Sequence, residues 1–410
     1  MACLPIELVE AILSQLADSK LDLSTCSLVC KQWFLKSRAL LFRSFSAGRT
    51  PSAPRLSDPF LETIQHVQSI PHLSHLVKKI EVDCHHVIEL TRITFHTLKL
   101  EHLTQLWLRR NDFSGFDDKI SLSRALSSSI HTLILDRVVF KDTCQLLHFL
   151  SSPCFSKLRS LSLTDISYIR RSHANPGPIR DAGTIIHSWA DATSPRLLAG
   201  PKIALVELEI GLISGHNIYD VLYHPDSPFE WNRLRRITFV SIYDNSLIQG
   251  FLNGPKPALI SLEFVNIKKT YHFVTSGAFI GTFENTSILA NITELLLNFD
   301  FTDEDCDFLE YIISEFNDSS RLRNVGIALC RMDSDAASVA KAAKVFHKLA
   351  GLPTIQCVRL IAPRRARSGW SVHDTMLGDS FYRFLISGLS LKIVLLYTDP
   401  EIDREPFSIL

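Results

Sequence analysis

Three groupings in this chain have side-chain types that invite chemistry: Cys84-His85-His86, the acids Asp303, Asp305 and Asp307, and the arginines Arg364, Arg365 and Arg367. The first would be a metal cluster, but neighbours in a strand point to opposite faces, and no second Cys/His pair has zinc-like spacing. The second imitates the start of a calcium loop, yet the glycine position holds Phe308 and the closing acid position holds Ser314. Those acids more simply begin a helix, where the dipole favours them. The arginines after Pro363 would serve as a nuclear signal, a phosphate contact or a solvated loop. The chain has no G-x-S-x-G, no P-loop and no G-x-G-x-x-G. The expectation is a non-catalytic protein with no metal and no cofactor.

The chemistry on offer instead is apolar contact. LPIELVEAILSQLA runs into LDLSTCSLVCKQWFLKSRALLFR at the N-terminus. Leu8, Ile12 and Leu16 lie four apart on one helical stripe, with Val9 and Leu13 on a neighbouring one. Pro5 suits the first turn of that helix. After Asp18-Ser19-Lys20 a second short helix carries Leu21 to Cys30, and a third holds Trp33, Phe34, Ala39, Leu40, Leu41 and Phe42. About forty residues bury too little surface to be stable alone, so the surplus must rest on the rest of the chain or on a partner.

Composition narrows the class. The 410 residues exceed one compact core, which leaves several domains or a repeat architecture. Lys plus Arg (43) equals Asp plus Glu (43), so no global charge attracts nucleic acid or an anionic membrane. Nine scattered cysteines contain no C-x-x-C pair and read as small buried hydrophobes of a reducing compartment. No uncharged apolar stretch of about 18 residues is present, and the first residues do not have the form of a secretion signal. The expected setting is therefore soluble and intracellular, cytoplasmic and/or nuclear. Three N-x-S/T triplets, at Asn285, Asn291 and Asn317, read as chance matches.

The elements that must position any site follow a repeat. AGRTPSAPRLSDP, Ala47 to Pro59, sustains no periodic structure and reads as a linker. Beyond it an apolar-x-x-apolar-x-apolar block recurs with central residues Ile80, Leu106, Leu133, Leu161, Leu208, Ile237, Leu262, Leu295, Val325, Val358 and Val394. The first three steps are 26, 27 and 28 residues, the spacing of a leucine-rich repeat. The 47-residue step from Leu161 to Leu208 holds an insertion near 167–202. Between blocks lie helical pieces capped by Asp142 and Asp244, another with Thr302 and Asp305 in capping-box positions, and one stopping at Gly351. Stacked units of this kind give a parallel sheet and a continuous core. The rival is a wound α/β domain, whose strands are continuous apolar runs without this spacing.

Leu4-Pro5-x-Glu7-Leu8, Ile12-Leu13-x-x-Leu16, Ser27-Leu28-Val29-Cys30-Lys31-x-Trp33 and Leu41-Phe42-Arg43 together resemble an F-box over residues 3 to 45. The likeness is to F-box proteins of fungi in which this core precedes an irregular leucine-rich-repeat region. It implies an α/β chain: a three-helix F-box at 1–46, a linker at 47–59 and a leucine-rich-repeat-like solenoid at 60–410, its parallel sheet on the concave face. It also implies docking on the adaptor subunit of an SCF-type, cullin-based ubiquitin ligase through Leu4, Pro5, Leu8, Ile12, Leu28, Val29, Cys30 and Trp33. For Ile12, Leu28 and Trp33, packing among the three helices is the alternative. The implied role is a substrate receptor joined through the adaptor to a cullin; the alternatives are an interaction scaffold that binds the adaptor and joins no cullin, and an enzyme with its site in the Tyr168 to Lys202 insertion.

Strand alternation selects the residues that face away from the core leucines. Lys79, Glu81, Asp83, Gln105, Trp107, Arg109, Glu207, Glu209, Arg236, Thr238, Ser261, Glu263, Glu294 and Asn298 are placed there. An exposed Trp107 flanked by Arg109 would anchor a target protein. Glu207, Glu209, Glu263 and Glu294 make the middle of the face acidic, with Arg236 interrupting; a solvated face is the alternative.

Overall fold

The structure is a computed structural model. It describes residues 4–17, 19–48, 69–83, 100, 102–114, 129–168, 202–211, 213–214, 222, 227–240, 264–268, 291–299, 310, 313–314, 321–329, 344–345, 347–349, 351–363 and 392–398. Short N-terminal helices lead into a parallel-sheet solenoid of α/β type, divided into two compact units. The first comprises Met1–Ala204 with Ile213–Phe229, the second Leu205–Leu212 with Glu230–Leu410.

The first unit opens with α1 (Ile6–Gln15), α2 (Lys20–Cys26) and α3 (Lys31–Leu41). Pro5 is the N-cap of α1, one position before the first helical turn. The Ser19 hydroxyl caps α2 by accepting from the Asp22 amide at 3.4 Å. Val9, Leu13 and Leu23 are fully buried between the helices, and Leu16, Cys26, Trp33, Leu40 and Leu41 pack against them.

Only Phe42 and Arg43 separate α3 from strand β1 (Ser44–Gly48). The strand is the first rung of a parallel ladder. After α4 (Pro71–Ser74), β2 (Lys79–Asp83), β3 (Gln105–Arg109), β4 (Thr132–Asp136) and, past β5 (Val139–Phe140) and α5 (Thr143–Leu150), β6 (Ser160–Thr164) extend it. Register aligns Phe45, Ile80, Leu106, Leu133 and Leu161 in one row. The carbonyl before each strand accepts two amides of the next coil. Lys78 O takes Thr104 and Gln105, Thr104 O takes His131 and Thr132, and Arg43 O takes Lys78 and Lys79 in the same way at 2.8 and 3.0 Å. The boundary expected at residue 46 thus falls inside β1, and Ala47 and Gly48, expected in the linker, are ladder residues. The rest of that linker lies outside the described residues.

Behind the ladder the coils close on themselves. β5, β7 (Ile166–Tyr168) and β10 (Ile213–Ser214) form a second parallel sheet. Asp142 caps α5, accepting from the Gln145 amide at 2.8 Å, while the Gln145 side chain accepts from Lys141 N and donates to Phe113 O. Phe113 stacks on Phe140, and Phe149 packs tilted against both and against Phe155, with centroids 5.3 to 5.8 Å apart, filling the coil. Arg110, Arg137 and Asp165, each directly after a strand, turn the chain through left-handed backbone at φ 53°, 56° and 54°. Asn111 is buried and donates to Val82 O and Arg109 O; Val138 and Ile166, one and two coils on, are buried apolar residues. Short strands β8 (Ile203–Ala204) and β11 (Phe229–Glu230) follow, and the expected insertion near 167–202 lies mostly outside the described residues.

The second unit carries β9 (Glu207–Ile210), β12 (Arg236–Val240), β13 (Phe264–Lys268), β14 (Glu294–Phe299), β15 (Asn324–Leu329), β16 (Cys357–Pro363) and β17 (Lys392–Thr398), parallel throughout. Its row runs Leu208, Ile237, Val265, Leu295, Val325, Val358, Ile393. Two expected centres are displaced: Val265 occupies the row in place of Leu262, and Ile393 in place of Val394. Apolar residues at both parities of FVNIK and KIVLLYT leave the register undetermined by pattern alone, and an odd shift exchanges the faces.

The cysteines do not all behave as buried hydrophobes. Cys154 is buried and its thiol is pushed up to about 11 by burial, whereas Cys30 and Cys144 are exposed.

Candidate docking surfaces

The first helices sort their apolar residues by angle. On α1 the Val9 and Leu13 side chains turn inward, so Leu8 and Ile12, one position earlier, stay bare at 52% and 40% exposure. Leu4 continues their four-residue stripe at 48%, and Pro5 beside it is exposed. α2 ends at Cys26, so Leu28 (83%) and Val29 (63%) stand in the following turn, with no helix to pack against. Cys30 is the exposed N-cap of α3.

Seven of the eight expected adaptor-docking residues are therefore solvent-facing. Trp33 is the exception: it packs on Val9, Leu13 and Leu23. Ile12 and Leu28, for which internal packing was the alternative, are exposed. The surface also includes Ile6, Leu21, Phe34 and Leu35, none of them among the expected docking residues. Leu21 and Leu35 each sit two positions from an inward residue, Leu23 and Trp33, and that half-turn offset is the signal that finds them. Lys36 on α3 pairs with Glu10 on α1.

Residues 1–44 match the F-box-like family. The F-box-like domain thus accounts for the helices and their bare face, and it ends where β1 begins. None of the curated proteins searched matches this chain.

The outward strand face of the first unit is the second surface. Burial alternates along β2 as expected, with Lys79, Glu81 and Asp83 away from the core. β3 departs from this, because Trp107 is only 8% exposed although it is on the outward side. The cover comes from neighbouring side chains. Lys79 Nζ sits 3.2 Å from the indole centroid and Arg109 Cζ 5.1 Å from it. Glu81 binds Arg109 Nη1 at 2.9 Å and Lys79 Nζ at 3.9 Å, and Asp136 lies 3.7 Å from Arg109 Nε. Arg110 clasps Asp83 with both Nε and Nη2. The expected exposed Trp–Arg anchor is instead a covered one.

In the second unit Glu207 faces Arg236 directly across the ladder at 3.7 Å, so the acid and the interrupting arginine neutralise each other. Glu209 lies on the same face. Asn324 donates to Glu294 at 3.2 Å. Ser261 and Glu263 lie outside the described residues. By register, Phe264 and Asn266 align with Arg236 and Thr238 in the next strand.

Proposed function

We propose that this chain is the substrate-recognition subunit of an SCF-type, cullin-RING ubiquitin ligase. The F-box-like domain binds the adaptor and through it joins a cullin, while the repeat region captures a target protein. The observation that carries this is the bare apolar stripe of Leu4, Leu8 and Ile12 with the Leu28–Val29 turn, on a domain matched to the F-box-like family. Such anchors fit helix-in-groove recognition. The role needs no catalytic residue, no nucleic acid and no membrane. Holding a target beside the conjugating machinery raises effective concentration at the target's lysines. Its proposed location is cytoplasmic and/or nuclear, where such ligases act.

Co-purification tests the reading. Tagged full-length chain is expected to recover the adaptor, a cullin and ubiquitylated proteins, and the double variant Leu4→Ala, Pro5→Ala to lose all three. Adaptor recovered without cullin would replace the ligase reading by the scaffold.

A further inference from the structure

In the second unit the chain enters β12 through Arg233-Leu234-Arg235 and β15 through Arg321-Leu322-Arg323. Leu234 and Leu322 are fully buried, and the arginine on either side of each is exposed. The two segments hold the same place in their coils. The Arg235 and Arg236 amides donate to Val206 O at 2.9 and 3.1 Å, as the Arg323 and Asn324 amides do to Thr293 O. Four exposed arginines therefore line the strand-entry rim of this unit. β12 and β15 are three ladder steps apart, about 14 Å at roughly 4.8 Å per step.

Their charges are not answered by described neighbours. The ion pairs between described residues of this unit join Arg236 to Glu207 and Glu310 to Lys344 and Lys348, and none includes Arg233, Arg235, Arg321 or Arg323. By register Arg323 lies between Thr293 and Gln356, and Arg321 between Asn291 and Thr354, all uncharged. Within each segment the two arginines are at most about 7 Å apart at Cα. That is inside the screening length of about 8 Å at physiological salt, so each pair repels itself until an anion arrives.

The side-chain type and the spacing select that anion. Planar guanidinium groups take carboxylates through two parallel hydrogen bonds. A gap of about 14 Å is spanned by roughly four extended residues. The chain as a whole has 43 basic against 43 acidic residues, so the attraction is local and suits a short acidic segment better than a long polyanion such as nucleic acid. We propose that Arg233, Arg235, Arg321 and Arg323 form a docking rim for an extended acidic segment of the target protein, one cluster of carboxylates resting on each Arg-Leu-Arg segment. This rests on the reading that the repeat region captures a target, and it names the place and chemistry of that capture.

Fluorescence anisotropy on the full-length chain tests it, with a labelled peptide Gly-Glu-Glu-Gly-Ser-Glu-Glu-Gly and its counterpart carrying Gln for Glu. The acidic peptide is expected to bind and the Gln peptide to stay free, and added salt should weaken the complex. Arg321→Ser with Arg323→Ser should weaken binding roughly tenfold, and Arg233→Ser with Arg235→Ser by a similar factor. The four side chains are exposed, so the thermal midpoints of both variants should match the parent and separate lost binding from lost fold. Lys20→Gln with Lys141→Gln removes the same charge from exposed positions of the first unit and should leave binding intact. Absence of binding, an equal loss in the lysine variant, or tighter binding of a single-stranded RNA octamer than of the peptide would overturn the proposal. Recovery of the adaptor reads the ligase assignment separately, and its failure would leave the peptide measurement to decide the rim.

Discussion

Leu28 and Val29 owe their exposure to the point at which α2 stops, three residues after Leu23 has turned into the core. Trp33, only a few positions later, is drawn inward by the first turn of α3. Neighbouring residues of one motif thus have opposite duties, and substitution should separate them. Leu28→Asp is expected to leave the thermal midpoint unchanged and to weaken adaptor binding by about 2 kcal/mol, the scale of an interface hot spot. Trp33→Ala should lower stability by about 2–3 kcal/mol through the cavity it leaves. Calorimetric titration and thermal unfolding of both variants decide the matter; equal behaviour would contradict the assignment. Of the expected stripe Leu8, Ile12 and Leu16, the first two are bare, whereas Leu16, just past the end of α1, packs on the Val9–Leu13–Leu23 core. The cover over Trp107 was not legible, since Lys79 reaches it only through the ladder pairing of β2 with β3.

At the scale of elements, the strand blocks were readable wherever a core leucine alternated with polar neighbours, as in KIEVD and ELEI. Where both parities are apolar, in FVNIK and KIVLLYT, the pattern put the centres at Leu262 and Val394, and the ladder moves them to Val265 and Ile393. Helix α5 was announced by Asp142, whose carboxylate takes the Gln145 amide. Asp142→Ala should therefore cost about 1 kcal/mol, measured by urea unfolding. An unchanged midpoint would remove the cap from the account. In the second unit Glu310 accepts from both Lys344 and Lys348, which holds its carboxyl below the usual glutamate range. Its depressed folded-state pKa means that the contribution is present above the unfolded value of about 4.3 and is lost as pH falls through the folded one. Glu310→Gln should then be less stable than the parent at neutral pH by at most about 1 kcal/mol, since the lysines are exposed. The difference should close in strong acid, and a gap that persists there would contradict the ion-pair origin.

For the molecule as a whole, the first rung of the sheet, β1, starts where the F-box-like segment ends. Phe45 begins the row that continues through Ile80 and Leu106, and Arg43 accepts the same pair of amides that Lys78 and Thr104 accept in later coils. That rung escaped the sequence reading because SFSAG carries one large apolar residue where the other blocks carry two or three. Truncation tests the point. A chain starting at Ser44 keeps β1, whereas one starting at Arg49 leaves the edge of β2 unpaired. The shorter chain should unfold earlier and aggregate more, as light scattering during a thermal ramp would reveal; identical ramps would show that β1 does not serve the sheet.

The two-residue step from α3 to β1 works like a gear tooth. Each residue of helix turns the chain by roughly 100°, and each residue of strand inverts its faces. One residue added between Leu41 and Ser44 would change the phase between the bare face of the helices and the strand ladder without altering a single exposed apolar residue. The angle between the bare helical face and the strand ladder is thereby encoded in a count, Phe42 and Arg43, and a lineage could retune it by changing that count alone.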